Sequence, residues 1–129
     1  MKTEIKVETD TYINGQKQRE TPYVNGQKHG ISTWWYENGQ KQCEIPYING
    51  QVHGLEIWLN ENGQKRCEIP YVNGQKHGLA IWWHLYGSLG FVRKWHQSQE
   101  VWRIQFPSQE QISEDVELEL FFHETPELI

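Results

Sequence analysis

The tripeptide Asn-Gly-Gln recurs along the chain, and its spacing constrains the fold more than any other feature of the sequence. The gaps between copies alternate between 11 and 13 residues, so the underlying repeat is 24 residues long. Alignment at this period superimposes the same residue types in three successive units. The copies begin at Asn14, Asn25, Asn38, Asn49, Asn62 and Asn73, and the aligned triplets are Pro22, Pro46 and Pro70; Tyr23, Tyr47 and Tyr71; His29, His53 and His77; Trp34, Trp58 and Trp82.

An Asn-Gly pair between two alternating apolar runs is a strong hairpin signal, because both residues tolerate positive φ at low cost. These turns, with an eroded one at Tyr86-Gly87, predict an antiparallel meander of about seven or eight strands. No helical stripe is present in residues 1–100. The chain is therefore predicted to be mainly β, an antiparallel single sheet of consecutive hairpins.

The alternation of apolar residues predicts which residues of neighbouring strands face each other. A two-residue loop at Asn49-Gly50 would place Cys43 opposite Glu56 and mix polar and apolar side chains on one face. A three-residue loop over residues 48–50, with glycine forming a bulge, pairs Cys43 with Leu55 instead. Three-residue loops are therefore expected throughout. The same geometry at residues 61–63 predicts the pairs Ile57 with Cys67 and Leu55 with Ile69.

That register divides the side chains between a core face and a mostly polar face. Three tryptophans form a row across the polar face, since they recur at the repeat period. The predicted core face carries Cys43, Ile45, Tyr47, Leu55, Ile57, Leu59, Cys67, Ile69, Tyr71, Leu79, Ile81 and Trp83. The predicted polar face carries Trp34, Gln42, Glu44, Pro46, Trp58, Arg66, Glu68, Pro70 and Trp82.

The prolines conflict with a regular ladder. Pro22, Pro46 and Pro70 lie inside predicted strands, where a residue without an N–H group cannot donate to a neighbouring strand. We therefore expect strand pairing to be interrupted once per repeat, with local bending.

Length and charge indicate a single domain with an acidic end. The 129 residues carry 12 Lys and Arg, all within residues 1–105, whereas residues 106–129 hold 7 of the 17 acids and no Lys or Arg. This distribution gives no basic footprint for nucleic acid. No apolar run is long enough for a membrane helix, and the charged start lacks the apolar core of a signal peptide, so a cytoplasmic protein is expected.

We divide this single domain into a repeat sheet over residues 1–97, with core repeats over 12–87, and an acidic capping segment over 98–129. "EVWRIQF" at 100–106 alternates like a strand. "EDVELELFF" at 114–122 does too, although Ser108 with Gln111 could cap a helix instead. A single-layer sheet must cover its apolar face. The C-terminal segment is expected to do so as a lid or an extra hairpin, and a homodimer is the alternative.

The phrases "WWYENGQKQCEIPYINGQVHG" and "IWLNENGQKRCEIPYVNGQKHG" resemble the MORN-variant repeat, and three such units cover residues 12 to 87. In bacteria this variant is characteristic of the YwqK-like antitoxin family. The resemblance implies an elongated, curved β-sheet that binds other proteins or, in some MORN proteins, lipid headgroups. It implies no catalytic residue. The central prolines and the acidic end after Arg103 depart from the family pattern.

Recurring chemical groups do not converge on a reactive site in this fold. Equivalent positions in successive repeats are two strands apart, about 9.6 Å. That distance is too long for one zinc ion to join two of the repeated histidines, and it exceeds the ~7 Å limit for a disulfide between Cys43 and Cys67. The same separation applies to Glu20, Glu44 and Glu68, and a meander lacks the pocket that an acid and base pair needs. We expect no enzyme activity, no metal and no cofactor.

The tryptophan row is the strongest candidate for a site. Trp and Arg dominate interface energetics, and Arg66 is predicted to lie across from Trp58. The alternative is an aromatic ladder that stiffens the sheet. The predicted partner-binding residues are Trp34, Trp58, Trp82, Arg66, Glu44, Glu68, Glu114, Asp115, Glu117 and Glu119.

The function expected from these features is stoichiometric protein binding. This protein would be an antitoxin, immunity protein or inhibitor, and its partner would be a toxin or effector enzyme with a basic surface. The acidic C-terminal segment would steer the encounter between them. The alternative is a structural or membrane-peripheral repeat protein that binds lipid headgroups. The near-neutral net charge of residues 1–105 weighs against the alternative, because anionic membranes attract clusters of Lys and Arg.

Overall fold

The computed structural model describes residues 2–108 and 121–122 and contains a single antiparallel sheet of consecutive hairpins, with no helix in those residues. This confirms the predicted meander, although interruptions raise the number of strands. The strands are β1 (Ile5–Thr11), β2 (Lys17–Val24), β3 (Gln27–Lys28), β4 (Gly30–Trp35), β5 (Lys41–Ile48), β6 (Gln51–Val52), β7 (Gly54–Leu59), β8 (Lys65–Val72), β9 (Gln75–Lys76), β10 (Gly78–Trp83), β11 (Leu89–His96), β12 (Gln99–Gln105) and β13 (Phe121–Phe122).

Two kinds of turn alternate along the sheet. Asn49 and Gly50 both have positive φ, 49° and 83°, and Ile48 pairs directly with Gln51. This is a two-residue loop of type I′, whose twist matches the flanking strands. The three-residue loop expected at residues 48–50 is therefore wrong. At residues 61–63 the three-residue loop is confirmed, since the N–H of Asn60 donates to Gln64 O at 2.8 Å and Gly63 N–H donates to Asn60 O at 2.9 Å.

Each proline lies where its strand changes partner, which confirms the predicted interruption. Pro46 O accepts a hydrogen bond from His53 N–H at 3.0 Å, beyond which the chain bulges at Gly54 and β7 begins with a shifted register. Gly54 has a φ of 115°, and a Cβ atom there would lie 3.2 Å from Pro46 Cγ. The His-Gly pair of each repeat therefore completes a bulge against the proline ring.

A second bulge lies on the other side of each tryptophan. Leu59 pairs with Lys65, as the three-residue loop requires, but Trp58 pairs with Cys67, so that Arg66 is the extra residue. The predicted partners of Cys43 and Cys67 are wrong, because both cysteines pair with Trp58. The predicted pair of Leu55 with Ile69 is also wrong, since Leu55 pairs with Pro70.

Directly paired residues project from the same face of an antiparallel sheet, so this register redefines both faces. We call the side that carries the tryptophan row the aromatic face and the opposite side the aliphatic face. Six residues of the predicted core face lie on the aliphatic face: Leu55, Ile57, Leu59, Leu79, Ile81 and Trp83. The aromatic face carries Trp34, Cys43, Ile45, Tyr47, Glu56, Trp58, Cys67, Ile69, Tyr71, Ala80 and Trp82.

The buried side chains lie on the aromatic face, beneath its rings. Cys67, Ile69 and Ala80 form a small cluster against which Trp58 and Trp82 pack. Thr21 and Ser32 are buried as well, with their hydroxyl oxygens 2.7 Å apart. The aliphatic face is more open: its row of Val7, Ile31, Leu55 and Leu79 is 40–53% exposed.

Hydrogen bonds between equivalent positions connect successive hairpins. At the type I′ tips, Gly50 N–H donates to Lys28 O and Gly74 N–H donates to Val52 O, both at 2.8 Å. At the opposite edge, the Tyr36 hydroxyl donates to Leu59 O at 2.7 Å. Each hairpin is thus fixed to the next at both ends of its strands.

The sheet continues past residue 97. β11 and β12 form a hairpin around Gln97 and Ser98, which both have positive φ and follow Asn73 and Gly74 by 24 residues. The predicted strand at 100–106 is thus confirmed as β12. Phe121 and Phe122 pair with Gln105 and Ile104 as an added strand. The rest of the region expected to form a lid, residues 109–120 and 123–129, lies outside the described residues.

Candidate functional site

The tryptophan row crosses the sheet in direct register with the cysteines. Trp34 pairs with Cys43, Cys43 with Trp58, Trp58 with Cys67, and Cys67 with Trp82. A large ring thus alternates with a small thiol along the row, and the rings cover the cysteines. All three tryptophans are only partly buried, so part of each side chain remains accessible.

Guanidinium groups lie over the rings of this row. The Arg66 guanidinium is 5.7 Å from the Trp58 ring centre, although Arg66 is the extra residue of the bulge and Trp58 pairs with Cys67 rather than with Arg66. Arg19 lies 5.8 Å from Trp34, and Arg93 lies 5.3 Å from Trp82. Contacts of this kind combine cation–π attraction with packing of the flat guanidinium.

A second row of aromatic residues runs parallel to the tryptophans. Tyr47 pairs with Val52, and Tyr71 pairs with Lys76. The Lys28 ammonium lies 5.0 Å from the Tyr47 ring, and the Lys76 ammonium lies 4.5 Å from the Trp95 ring. The aromatic face therefore has two lines of rings with cations lying over rings of both lines, above the buried row that includes Ser32 and Ala80.

Sequence reasoning missed Glu56, the carboxylate between these two rows. Burial raises the pKa of Glu56, and the Trp58 and Tyr71 side chains and the Lys76 charge partly offset that effect. Burial, with the Glu56 charge nearby, raises the pKa of Tyr71 to about 12. The equivalent positions are Ser32 and Ala80, so the repeat fold does not require a carboxylate here. This departure from the repeat was visible in the sequence once the faces were assigned correctly.

Both thiols are free and buried, as predicted. Burial, with the charges of Glu56 and Glu44, raises the pKa of Cys43 to about 11. Burial also raises the pKa of Cys67, against an opposing effect of the Arg66 charge. Neither thiol is activated as a nucleophile, because nucleophilic cysteines need a lowered pKa and access to solvent.

Glu44 and Glu68 do not lie with the tryptophans. Both project from the aliphatic face, since Glu44 and Glu68 each pair with Ile57 while Trp58 points the other way. The prediction that they share a face with the tryptophan row is wrong, because the bulges shift the strands. Lys41 and Lys65 form ion pairs with them at 3.2 Å. The predicted Glu114, Asp115, Glu117 and Glu119 lie outside the described residues.

The repeated histidines serve the turns. Asn49 N–H donates to His29 Nδ1 at 3.2 Å, and Asn73 N–H donates to His53 Nδ1 at 3.1 Å, so each ring binds the tip of the next hairpin. His77 instead contacts the His96 ring at 4.9 Å, beside a cleft of about 540 Å³. Across the described part of the chain, no group of three or more His, Cys, Asp or Glu could hold a metal ion.

Comparison with known proteins supports the identity of the repeat. Residues 28–49 and 52–73 match the family model of the MORN repeat variant. The chain contains MORN repeats. The two matched segments include Trp34, Trp58, Arg66, Cys43 and Cys67, so this part of the tryptophan and cysteine row belongs to the MORN repeats, whereas Trp82 lies outside the matched segments. No curated protein and no solved structure matched the chain.

The part of the chain that the structure describes contains no helix long and apolar enough to span a bilayer. The residues that the sheet brings together on one face are the partly exposed rings, the cations that lie over them and Glu56. Such a surface can bind a ligand by stacking, by cation–π contact and by ion pairing.

Proposed function

We propose that this protein is a non-enzymatic binding module that docks a partner protein on its aromatic face. The observation that carries the proposal is the tryptophan row, in which three indoles in register each carry a guanidinium on one ring. Partly exposed Trp and Arg side chains at the centre of a surface are the residues that most often dominate binding energy. Trp34 and Trp82 are four strands apart, about 19 Å, which is long enough for a protein interface.

The likeness to the YwqK-like antitoxins supports a more specific role. In this proposal the protein is a cytoplasmic antitoxin, immunity protein or inhibitor that neutralises a bacterial enzyme by stoichiometric docking. Glu44 and Glu68 take no part in that contact, since they project from the opposite face. Steering by Glu114, Asp115, Glu117 and Glu119 stays a prediction from their charge.

Partner capture from extracts of the source organism tests the proposal. We expect the wild-type protein to retain a specific protein, and the triple variant W34A/W58A/W82A to lose it. The matched control is I31S/L55S/L79S, which changes the residue three positions before each tryptophan on the opposite face of the same strands. This control should still capture the partner.

A second variant separates binding from stability. W34F/W58F/W82F keeps an aromatic ring above each cysteine but removes the indole N–H and part of the contact area. We expect it to fold, by circular dichroism, and to bind the partner more weakly than the wild type. Full capture by this variant, together with a lower melting temperature for the alanine variant, would show that the row is only a structural ladder. If the wild-type protein captures no specific protein but floats with anionic vesicles, the membrane-peripheral alternative is favoured.

A further inference from the structure

The two faces of the sheet differ in how their cations are neutralised. On the aliphatic face, three lysines one repeat apart each form an ion pair with a glutamate three residues ahead. The N–O distances are 3.0 Å for Lys17 with Glu20, 3.2 Å for Lys41 with Glu44 and 3.2 Å for Lys65 with Glu68. These three lysines therefore offer little unbalanced charge to a partner.

On the aromatic face, three cations lack a carboxylate. Lys28, Arg66 and Lys76 each lie over a ring, at 5.0, 5.7 and 4.5 Å, and none has a carboxylate oxygen within 4.0 Å in the described part of the chain. A cation held on a ring keeps most of its N–H donors available. These groups can therefore accept an anionic partner without breaking an existing ion pair.

Most carboxylates of the aromatic face are already engaged. Arg19 binds Asp10 at 2.8 Å and Glu8 at 3.4 Å. Glu100 lies 3.7 Å from Arg93 and 3.8 Å from Arg103. Glu56 is the remaining carboxylate, and the nearby Lys76 charge favours its ionised form. The cations thus outnumber the carboxylates on this face.

Two buried N–H groups lie at one end of the face. Arg93 Nε is buried with the Glu100 carboxylate 3.7 Å away, beyond hydrogen-bond distance, and Trp95 Nε1 is buried with no hydrogen-bond partner among the described residues. Arg93 and Trp95 project from the same side of β11 as the tryptophan row, because they are two and four residues from Phe91, which pairs with Trp82. An unpaired buried donor is costly, so an acceptor supplied by a partner would be stabilising here.

The distance between Lys28 and Lys76 limits which anionic ligands can contact both lysines. They occupy equivalent positions two repeats apart, four strand spacings or about 19 Å. Halfway between them the same position holds Val52. A peptide in the polyproline II conformation rises about 3.1 Å per residue and completes a turn every three residues, so six residues cover nearly the same distance and positions 1, 4 and 7 face the same side. Lys28, Val52 and Lys76 therefore match a peptide that has an acidic residue, an apolar residue three positions later, and a second acidic residue three positions after that.

We propose that the aromatic face binds an extended acidic segment of the partner, with carboxylates at Lys28 and Lys76 and an apolar side chain at Val52. This inference rests on the proposed function and specifies the partner's chemistry at that site. A nucleic-acid strand fits less well, because it carries a charge on every nucleotide and would place phosphates over Val52 and the tyrosine rings. The basic surface expected of the partner from the acidic residues 106–129 would be a separate region.

A designed heptapeptide tests the assignment. The probe has Glu at positions 1 and 7, Leu at position 4, Ser elsewhere and blocked ends, and its binding is followed by tryptophan fluorescence and calorimetry. We expect saturable binding that weakens with added salt. K28Q/K76Q should bind about tenfold more weakly, as the loss of two partly exposed ion pairs requires. The matched control K17Q/K65Q removes two lysines from the aliphatic face and should bind within about twofold of the wild type.

Several results would overturn the assignment. They are no saturable binding at peptide concentrations up to about 1 mM, equal binding of a peptide with Lys in place of both Glu, and equal weakening in the two lysine variants. Tighter binding of single-stranded DNA or of phosphatidylserine vesicles than of the peptide would also reject a peptide partner. If the tryptophan variants lose the captured partner while K28Q/K76Q retains it fully, the proposed function stands and this inference fails.

Discussion

The proline and glycine at each bulge give a quantitative test of the register. Gly30 has a φ of 109°, and a Cβ atom there would lie 2.9 Å from Pro22 Cγ. Gly26, in the turn of the same hairpin, has a φ of 79°, and a Cβ atom there would have no neighbour within 4 Å. Positive φ costs an L-residue about 1–2 kcal/mol at either site. The contact with the proline ring adds about 1–3 kcal/mol at Gly30 alone, since close-packed groups relax only partly.

G30A is therefore expected to lower the free energy of unfolding by about 2–5 kcal/mol, and G26A by about 1–2 kcal/mol. Urea titrations followed by tryptophan fluorescence and by far-ultraviolet circular dichroism measure both values, and coincidence of the two curves checks for a single transition. In thermal melts, each kcal/mol corresponds to about 3–6 °C for a domain of this size.

A double-mutant cycle isolates the ring contact. In the P22A background the ring is absent, so G30A should cost about as little as G26A, while the cost of G26A itself should not change. Equal losses for G30A and G26A, or no relief from P22A, would refute the account of the bulge as a glycine packed under a proline ring.

Three further predictions concern single side chains. Folding raises the pKa of Glu56, so the ionised carboxylate destabilises the folded state once the pH is above the pKa of the unfolded chain. E56Q should therefore raise the urea midpoint at pH 7, and the gain should vanish below about pH 4. Folding raises the pKa of Cys43 from 9.0 to about 11, so stability should fall as pH rises from 9 through 11 and C43S should reduce that fall in urea titrations. H53A removes the acceptor of the Asn73 N–H, and should cost about 1 kcal/mol and speed hydrogen exchange at Asn73.

Much of the fold follows from the sequence because the turn residues report their own geometry. Asn-Gly pairs occur at the hairpin turns, where the glycine has positive φ and, as at Asn49-Gly50, the asparagine can have it too, and the spacing between pairs sets the strand length. The interruption at each proline was also predictable, since Pro46 cannot donate to a ladder. These local rules fix which strands are neighbours.

The faces could not be predicted from the same rules. The register was chosen to separate polar from apolar residues, but a single-layer sheet has two accessible faces and both are mixed. Two bulges per repeat, at Gly54 and at Arg66, shift the pairing between turns, and each depends on packing across strands. The prediction therefore placed Trp58 opposite the wrong residue. It also placed Trp58 on the same face as Glu44, which in the structure projects from the opposite face.

The hydrogen bonds that fix each hairpin tip to the previous one bear on how this protein can change its length. The bonds from Gly50 to Lys28, from Gly74 to Val52 and from Ser98 to Lys76 have nearly the same length, 2.8–2.9 Å, and the same offset of 22 residues. Every unit thus presents to its successor the surface that it received from its predecessor. Duplication of one 24-residue unit would leave all other strand pairs unchanged and extend the row of indoles by about 9.6 Å. The length of the binding surface is therefore set by the number of 24-residue repeats, and it changes in steps of one repeat.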